Sequence, residues 1–206
     1  MNISPRETIL KAVRKNLLGF KTGQNTKAEY KVDAYKSLSD AEGVQALIDI
    51  AEHTQHQVLE CNNKYHFLDR FIDFQKRSET KTVFCRDIKL KRLLDSCDIE
   101  YTSELTEAYR DINLYPCDYW EPNGLLAAFD YSKDREGSTS LSGRMVLVTY
   151  RDQMVKTTEN LFERLKNRLR DADLQKVDLY TLDPTLSTTE SSHKGPVTLF
   201  IINQRL

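Results

Sequence analysis

The sequence predicts an α/β fold, a layered and mainly parallel sheet preceded by an N-terminal helical appendage. Three observations predict it. From residue 38 onward the apolar spacing alternates between the period of a helix and that of a strand, as expected where helices and strands interleave along one chain. Runs such as "TVFC" (82–85) and "VTLFII" (197–202) have the length and composition of buried strands. The 206 residues are enough for one continuous core and a sheet of several strands, so one main domain is the default.

The elements follow in order. Ser4, Pro5 and Glu7 form a helix start, with Ser4 as cap, Pro5 at the first helical position and Glu7 closing a capping box. Ile9, Leu10, Val13 and Leu17 give that helix an apolar face, and Gly19 stops it. The polar stretch after it shows no sustained period, so residues 1–37 read as an appendage and 38–206 as the domain. Ser39 and Glu42 open a second helix, whose buried stripe is Val44, Leu47, Ile48 and Ala51. "QVLEC" (57–61) is a strand, and Phe67, Leu68, Phe71, Ile72 and Phe74 form one wide helical face before "TVFC". Two strands flanking a helix make a βαβ unit. "IKLKRLLDSC" repeats the pattern through Ile88, Leu90, Leu93 and Leu94, and "DIEYT" returns to extended chain. "DINLYPC", "GLLAAFDY" and "RMVLVTY" are extended, "TTENLFERLKNRLRDA" is a long helix, and "VDLYTL" and "VTLFIIN" are the last strands. The expected total is about six to eight strands and about five helices.

Composition removes several function classes. Thirty Lys and Arg against 31 Asp and Glu leave a formal net charge of −1, so no global field draws the chain to nucleic acid or an acidic membrane. No apolar run approaches the roughly 20 residues of a membrane helix, and "MNISPRETILKAVRKNLL" has no continuous apolar signal core. The expectation is a cytoplasmic protein with no nucleic-acid or membrane partner. Cys61, Cys85, Cys97 and Cys117 are far apart, with no CxxC and no His at zinc-finger spacing, so no metal or cofactor is expected. His53 and His56 read as a solvated helix end, Cys85 as a small buried hydrophobe, and Arg164, Lys166, Arg168 and Arg170 as the wet face of a helix.

No Walker loop, GxGxxG, GxSxG elbow or HExxH occurs, which leaves two irregular turns as candidates. In "EPNGLLAAF" (121–129), Gly124 tolerates a positive φ and Asn123 similar angles, so Glu121 and the neighbouring amides could face a ligand at a strand end. The turn reads equally as a bend that starts a strand. In "STTESSHKGP" (187–196), the side chains of Ser187, Thr188, Thr189, His193 and Lys194 and the backbone at Gly195 could hold a carboxylate or phosphate. The alternative there is a polar connector.

"SPRETILKAVRKNL", "KTVFCRDIKLKRLLDSCDIEYTSELTEA" and "CDYWEPNGLLAAFDYSKDREGSTSLSGRMVLVTYRDQMV", in that order, resemble a divergent short member of the lactate-utilization (LUD) domain family. The resemblance implies a Rossmann-like fold related to the sugar-phosphate isomerase and CoA-transferase group. It also implies a place in bacterial oxidation of L-lactate to pyruvate. Glu121, Asn123 and Gly124 occupy the family's turn, with Asp118 just before, but Pro122-Asn123 stands where an acidic-Thr pair is usual. His193 and Gly195-Pro196 partly match a His-Gly-Pro ahead of the last strand, with Lys194 intervening. The implied protein is a cluster-free subunit or accessory that binds a small anionic ligand or iron-sulfur partner subunits. Two other readings stand beside it: an isomerase or CoA-transferase type enzyme with Glu121 as its catalytic carboxylate, and an interaction module docking through the 1–18 helix.

Overall fold

Capping fixes where the first helix starts. In the computed structural model, which describes residues 38–80, 82–104, 111–129, 144–169, 177–183 and 196–204, α1 (Asp40–Glu52) opens on the expected capping box. The Glu42 carboxylate accepts from the Ser39 N–H at 2.7 Å, and Ser39 Oγ accepts from the Glu42 N–H at 3.4 Å. The Ser39 hydroxyl, donating to the same carboxylate at 2.6 Å, and then the Ser39 N–H favour the charged form and hold the Glu42 carboxyl below its ordinary value. β1 (Gln57–Cys61) leads to α2 (Lys64–Ser78), whose cap Asn63 accepts from the Tyr65 and His66 amides, each at 3.0 Å. β2 (Val83–Cys85), α3 (Ile88–Asp95, capped by Asp87) and β3 (Tyr101–Thr102) follow. The N-terminal helix and linker, and Ser187, Thr188, Thr189, His193, Lys194 and Gly195, lie outside the described residues.

The remaining elements are β4 (Ile112–Trp120), β5 (Leu125–Phe129), β6 (Arg144–Tyr150), α4 (Thr158–Arg168), β7 (Val177–Thr181) and β8 (Val197–Ile202). Six strands form a parallel sheet in the order β1-β8-β6-β4-β2-β3, giving the expected Rossmann-like α/β layering. β1 and β2 are parallel, as their βαβ reading requires, yet β8, β6 and β4 lie between them. The starts of β1 and β8 are joined where His56 Nδ1 accepts from the Val197 N–H at 2.9 Å. His56 is therefore a joint between two strand starts, and its solvated helix-end reading is corrected.

β4 serves two sheets. Ile112 to Pro116 pair in parallel with β6, and β2 pairs along the start of the same stretch. From Cys117 to Trp120 the strand pairs antiparallel with β5, and β5 pairs antiparallel with β7. The register shifts between Cys117 and Tyr119, just past Pro116, which has no N–H to offer a ladder. The extended segment read from the sequence, "DINLYPC", ends at Cys117; the structure carries the strand on to Trp120.

Three apolar clusters set the layers. α2 and α3 cover one face of the parallel sheet, with Phe67, Phe71 and Phe74 grouped around Phe200 of β8 at ring-centroid distances of 5.2, 6.2 and 6.3 Å. α1 covers the other face together with the inner side of the β5–β7 ribbon, through Val44, Leu47, Trp120, Leu126 and Tyr180. The outer side of that ribbon packs under α4, where buried Ala127 meets Leu161 and Leu165. Ile88, read as part of the α3 stripe, is 66% exposed, because it is the first helical residue and precedes the buried face at Leu90 and Leu94.

The β4–β5 connection is the "EPNG" turn. The Gly124 N–H donates to the Glu121 carbonyl and the Glu121 N–H to the Leu125 carbonyl, each at 2.9 Å. Gly124 has φ +96°, whereas positive φ among the described non-glycine residues occurs at Glu79 and Asp98, so Asn123 stays in the negative range. This is a type I turn followed by a left-handed glycine, a standard bulged hairpin connection. Gly124 is also crossed closely: its carbonyl accepts from the Leu182 N–H at 2.8 Å, and a Cβ there would stand 3.2 Å from the Asp183 nitrogen. Gly124→Ala should therefore destabilise the protein by about 1–3 kcal/mol, through backbone strain and this contact. Urea unfolding measures it, and an unchanged midpoint contradicts the assignment.

Candidate functional site

Open α/β sheets bind ligands beyond the carboxyl ends of their parallel strands. The corner where β4 leaves the parallel sheet lies at that end, and it is tightly stitched. Trp120 is fully buried; its indole N–H donates to the Tyr150 carbonyl at 3.0 Å, and its own carbonyl accepts from the Val155 N–H at 2.8 Å. Gln153 Oε1 accepts from the Tyr150 N–H at 2.7 Å and the Thr149 hydroxyl at 3.1 Å, while Nε2 donates to the Asp118 carbonyl at 2.8 Å. Pro122 fills the gap to α1: a Cβ on Gly43 would stand 3.3 Å from Pro122 Cγ and 2.4 Å from Met154 Sδ. Pro122 thus packs against a helix.

Two carboxylates at the end of β4 attach α4. Thr157 caps this helix by accepting from the Asn160 N–H at 3.2 Å, and the Thr158 hydroxyl donates to Glu121 Oε1 at 3.2 Å and Oε2 at 3.1 Å. The Asn123 side chain and the Thr158 backbone also hydrogen-bond the Glu121 carboxyl. At the other end of α4, Arg168 makes an ion pair with Asp118, whose side chain is 8% exposed. One face of the helix is therefore tied to β4 at both ends. Arg168 stays exposed, as its place on the wet face predicts, yet pairs with Asp118 at the edge of that face; Arg164 is exposed too, with its guanidinium 5.8 Å from the Tyr119 ring centroid. Arg170 lies outside the described residues.

Burial governs Glu121. It is 2% exposed, and desolvation pushes its carboxyl up to about 7 against the opposing hydrogen bonds from Thr158 and Asn123, with Glu159 adding like-charge repulsion. A carboxyl poised there can exchange a proton near neutral pH. Two clefts formed by described residues do not include it in their lining. One, of about 490 Å³, is bounded by Asp40, Lys156, Asn160 and Arg164; the other, of about 640 Å³, lies along α2.

Glu121, Asn123 and Gly124 come together as one turn. The Gly124 amide is used by the Glu121 carbonyl, and the Leu125 amide by Asn123 Oδ1 at 3.4 Å. Three of the four cysteines, Cys61, Cys85 and Cys117, are buried and behave as small hydrophobes, and Cys97 is exposed; burial raises the Cys61 thiol to about 11 and the Cys85 thiol to about 12. Sequence reasoning missed Thr158 and Gln153. The first had a signal, because Thr157-Thr158-Glu159-Asn160 ahead of an apolar run is a helix-start pattern whose side chains face the preceding strand end. Gln153 had none.

No family model matches the chain, and no curated protein matches it. Among solved structures it is similar to a DUF162 family protein from Deinococcus radiodurans at 13% identity. The match has a TM-score of 0.59 and covers 81% of this chain and 99% of that one. At that identity the likeness establishes a shared fold.

The Glu121 environment has a signed consequence. The folded protein keeps this proton up to about pH 7, whereas the unfolded chain releases it near 4.5. The folded state therefore binds more protons between those values, and its stability falls as pH rises from about 4.5 to about 7, by on the order of 3 kcal/mol. Glu121→Gln keeps the shape and removes the charge. It should match the wild type in urea unfolding at pH 5 and exceed it at pH 8; equal stability at both pH values contradicts the raised pKa.

Proposed function

We propose that this chain is a divergent LUD-like protein acting as a cluster-free subunit or accessory in bacterial use of L-lactate or a related organic acid. Two considerations support the reading. The solved neighbour belongs to DUF162, the LUD-like family, and its fold runs along nearly the whole of that chain. The resemblance in the order of sequence segments, from "KTVFC" to the "EPNG" turn, points the same way. Oxidising lactate to pyruvate removes two electrons, which iron-sulfur partner subunits would accept. The small anionic ligand and the cytoplasmic setting belong to the same proposal.

The observation that favours an accessory over an isomerase or CoA-transferase type enzyme is the closure around Glu121. Its carboxyl is held by Thr158 and Asn123 and is 2% exposed, so a substrate would have to displace those partners to reach it. Its pKa near 7 is the feature that keeps the enzyme reading in contention.

Deleting the gene should impair growth on L-lactate while leaving growth on glucose intact. Both the wild type and Glu121→Gln should restore it. Unimpaired growth contradicts the metabolic assignment. Failure of Glu121→Gln alone, at normal protein level, turns the assignment toward an enzyme using that carboxyl.

A further inference from the structure

The parallel sheet ends on one side at the two-residue β3 and on the other at the five-residue β1. Among the described residues the outer side of β1 pairs with no strand, while its inner side is in unbroken register with β8 from Gln57↔Thr198 to Cys61↔Ile202. Unpaired N–H and C=O groups along such an edge are a template for another strand, and proteins usually blunt them with Pro, Lys or a bulge. "QVLEC" contains no Pro or Lys, no bulge interrupts its ladder, and its one charge, Glu60, is paired with Arg151 at 3.0 Å. Val58 and Leu59 are half-buried, Val58 against the α1 side of the sheet and Leu59 against the α2 side.

We propose that a second copy of this chain pairs with β1, strand antiparallel to strand, about a two-fold axis at Leu59. The charge pattern beside the edge selects this occupant. Leu59 is in register with Phe200, and Phe67, Phe71 and Phe74 of α2 all contact the Phe200 ring, so the middle of α2 sits level with Leu59. A two-fold axis there brings α2 of each copy antiparallel to α2 of the other, centred near Phe71. Arg70 and Asp73 flank that level and line the cleft of about 640 Å³ between α2 and Gln57 and Leu59, with His66, Asp69, Arg77 and Arg144 also in its lining. Each Arg70 then faces the Asp73 of the other copy, and the contact occurs twice, as an isologous interface requires.

The spacing agrees. Strands pair at about 4.8 Å, and α2 packs on both β1 and β8, so the two α2 axes would lie roughly 10–14 Å apart. Helices in direct contact lie about 8–10 Å apart, and Arg and Asp side chains span the remainder.

Sedimentation velocity on the purified full chain tests the proposal. The wild type should dimerise with rising concentration. Arg70→Asp, which sets Asp against Asp twice, should raise the dissociation constant by about tenfold or more. The double variant Arg70→Asp with Asp73→Arg should restore dimerisation, because the pair is again self-complementary. At concentrations low enough to keep all three proteins monomeric, the wild type and the two variants should share one thermal unfolding midpoint within a few degrees, since both positions lie along the surface cleft. A wild type that stays monomeric at every concentration overturns the proposal and leaves the edge to a strand from a different protein. A dimer indifferent to Arg70→Asp, or a double variant as weak as the single one, also overturns it.

Discussion

Strand β4 pairs in parallel through Pro116 and antiparallel from Cys117, and the layers on one side of the molecule depend on that change. Continued in parallel, it would leave the inner face of β5 and β7 without the α1 cluster. By turning out, it places Leu126 and Tyr180 over the core and presents Ala127 to α4. Pro116 removes a donor from the ladder, and the register shift by Tyr119 absorbs the bend. The small side chain of Ala127 lets α4 approach the ribbon.

The same turn determines the electrostatics. β4 ends with Asp118 and Glu121 beneath one helix, and that helix answers them differently. Asp118 meets a guanidinium at the C-terminal end of α4; Glu121 meets a hydroxyl and backbone at its N-terminal end. A helix N-terminus favours a carboxylate, yet burial outweighs it at Glu121, which carries its proton to about pH 7. The outcome is an acid group that is tuned but enclosed, which fits a carboxyl that fastens a helix more readily than one that meets a substrate.

Local chemistry was legible in the sequence wherever it depends on neighbours in the chain. The Ser39/Glu42 box, the Phe67/Phe71/Phe74 face, the short apolar strands and the bend at Gly124 all follow from spacing of a few residues. What failed were pairings across long separations. Nothing near Arg168 signals that its partner is Asp118, 50 residues earlier, and nothing near His56 signals Val197, 141 residues later. Ile88 matched the helical period and is still exposed, because period does not tell which turn of a short helix reaches the core. The strand order, with β8 inserted beside β1, is likewise invisible to local pattern. Of the two candidate turns, the first resolves into a hairpin whose Glu121, Gly124 and Leu125 amides are engaged; the second falls, up to Gly195, outside the described residues.

The account rests most heavily on the enclosed carboxyl at the corner of β4 and α4. Isotope-edited infrared or carbon-detected NMR titration of Glu121, with Glu121→Gln identifying the signal, reads its proton occupancy directly. A midpoint near 7 that falls when Glu159 is neutralised is the expected result. A midpoint at the ordinary glutamate value, near 4.5, would show the carboxyl to be solvated and would contradict the packing of α4 over β4 described above.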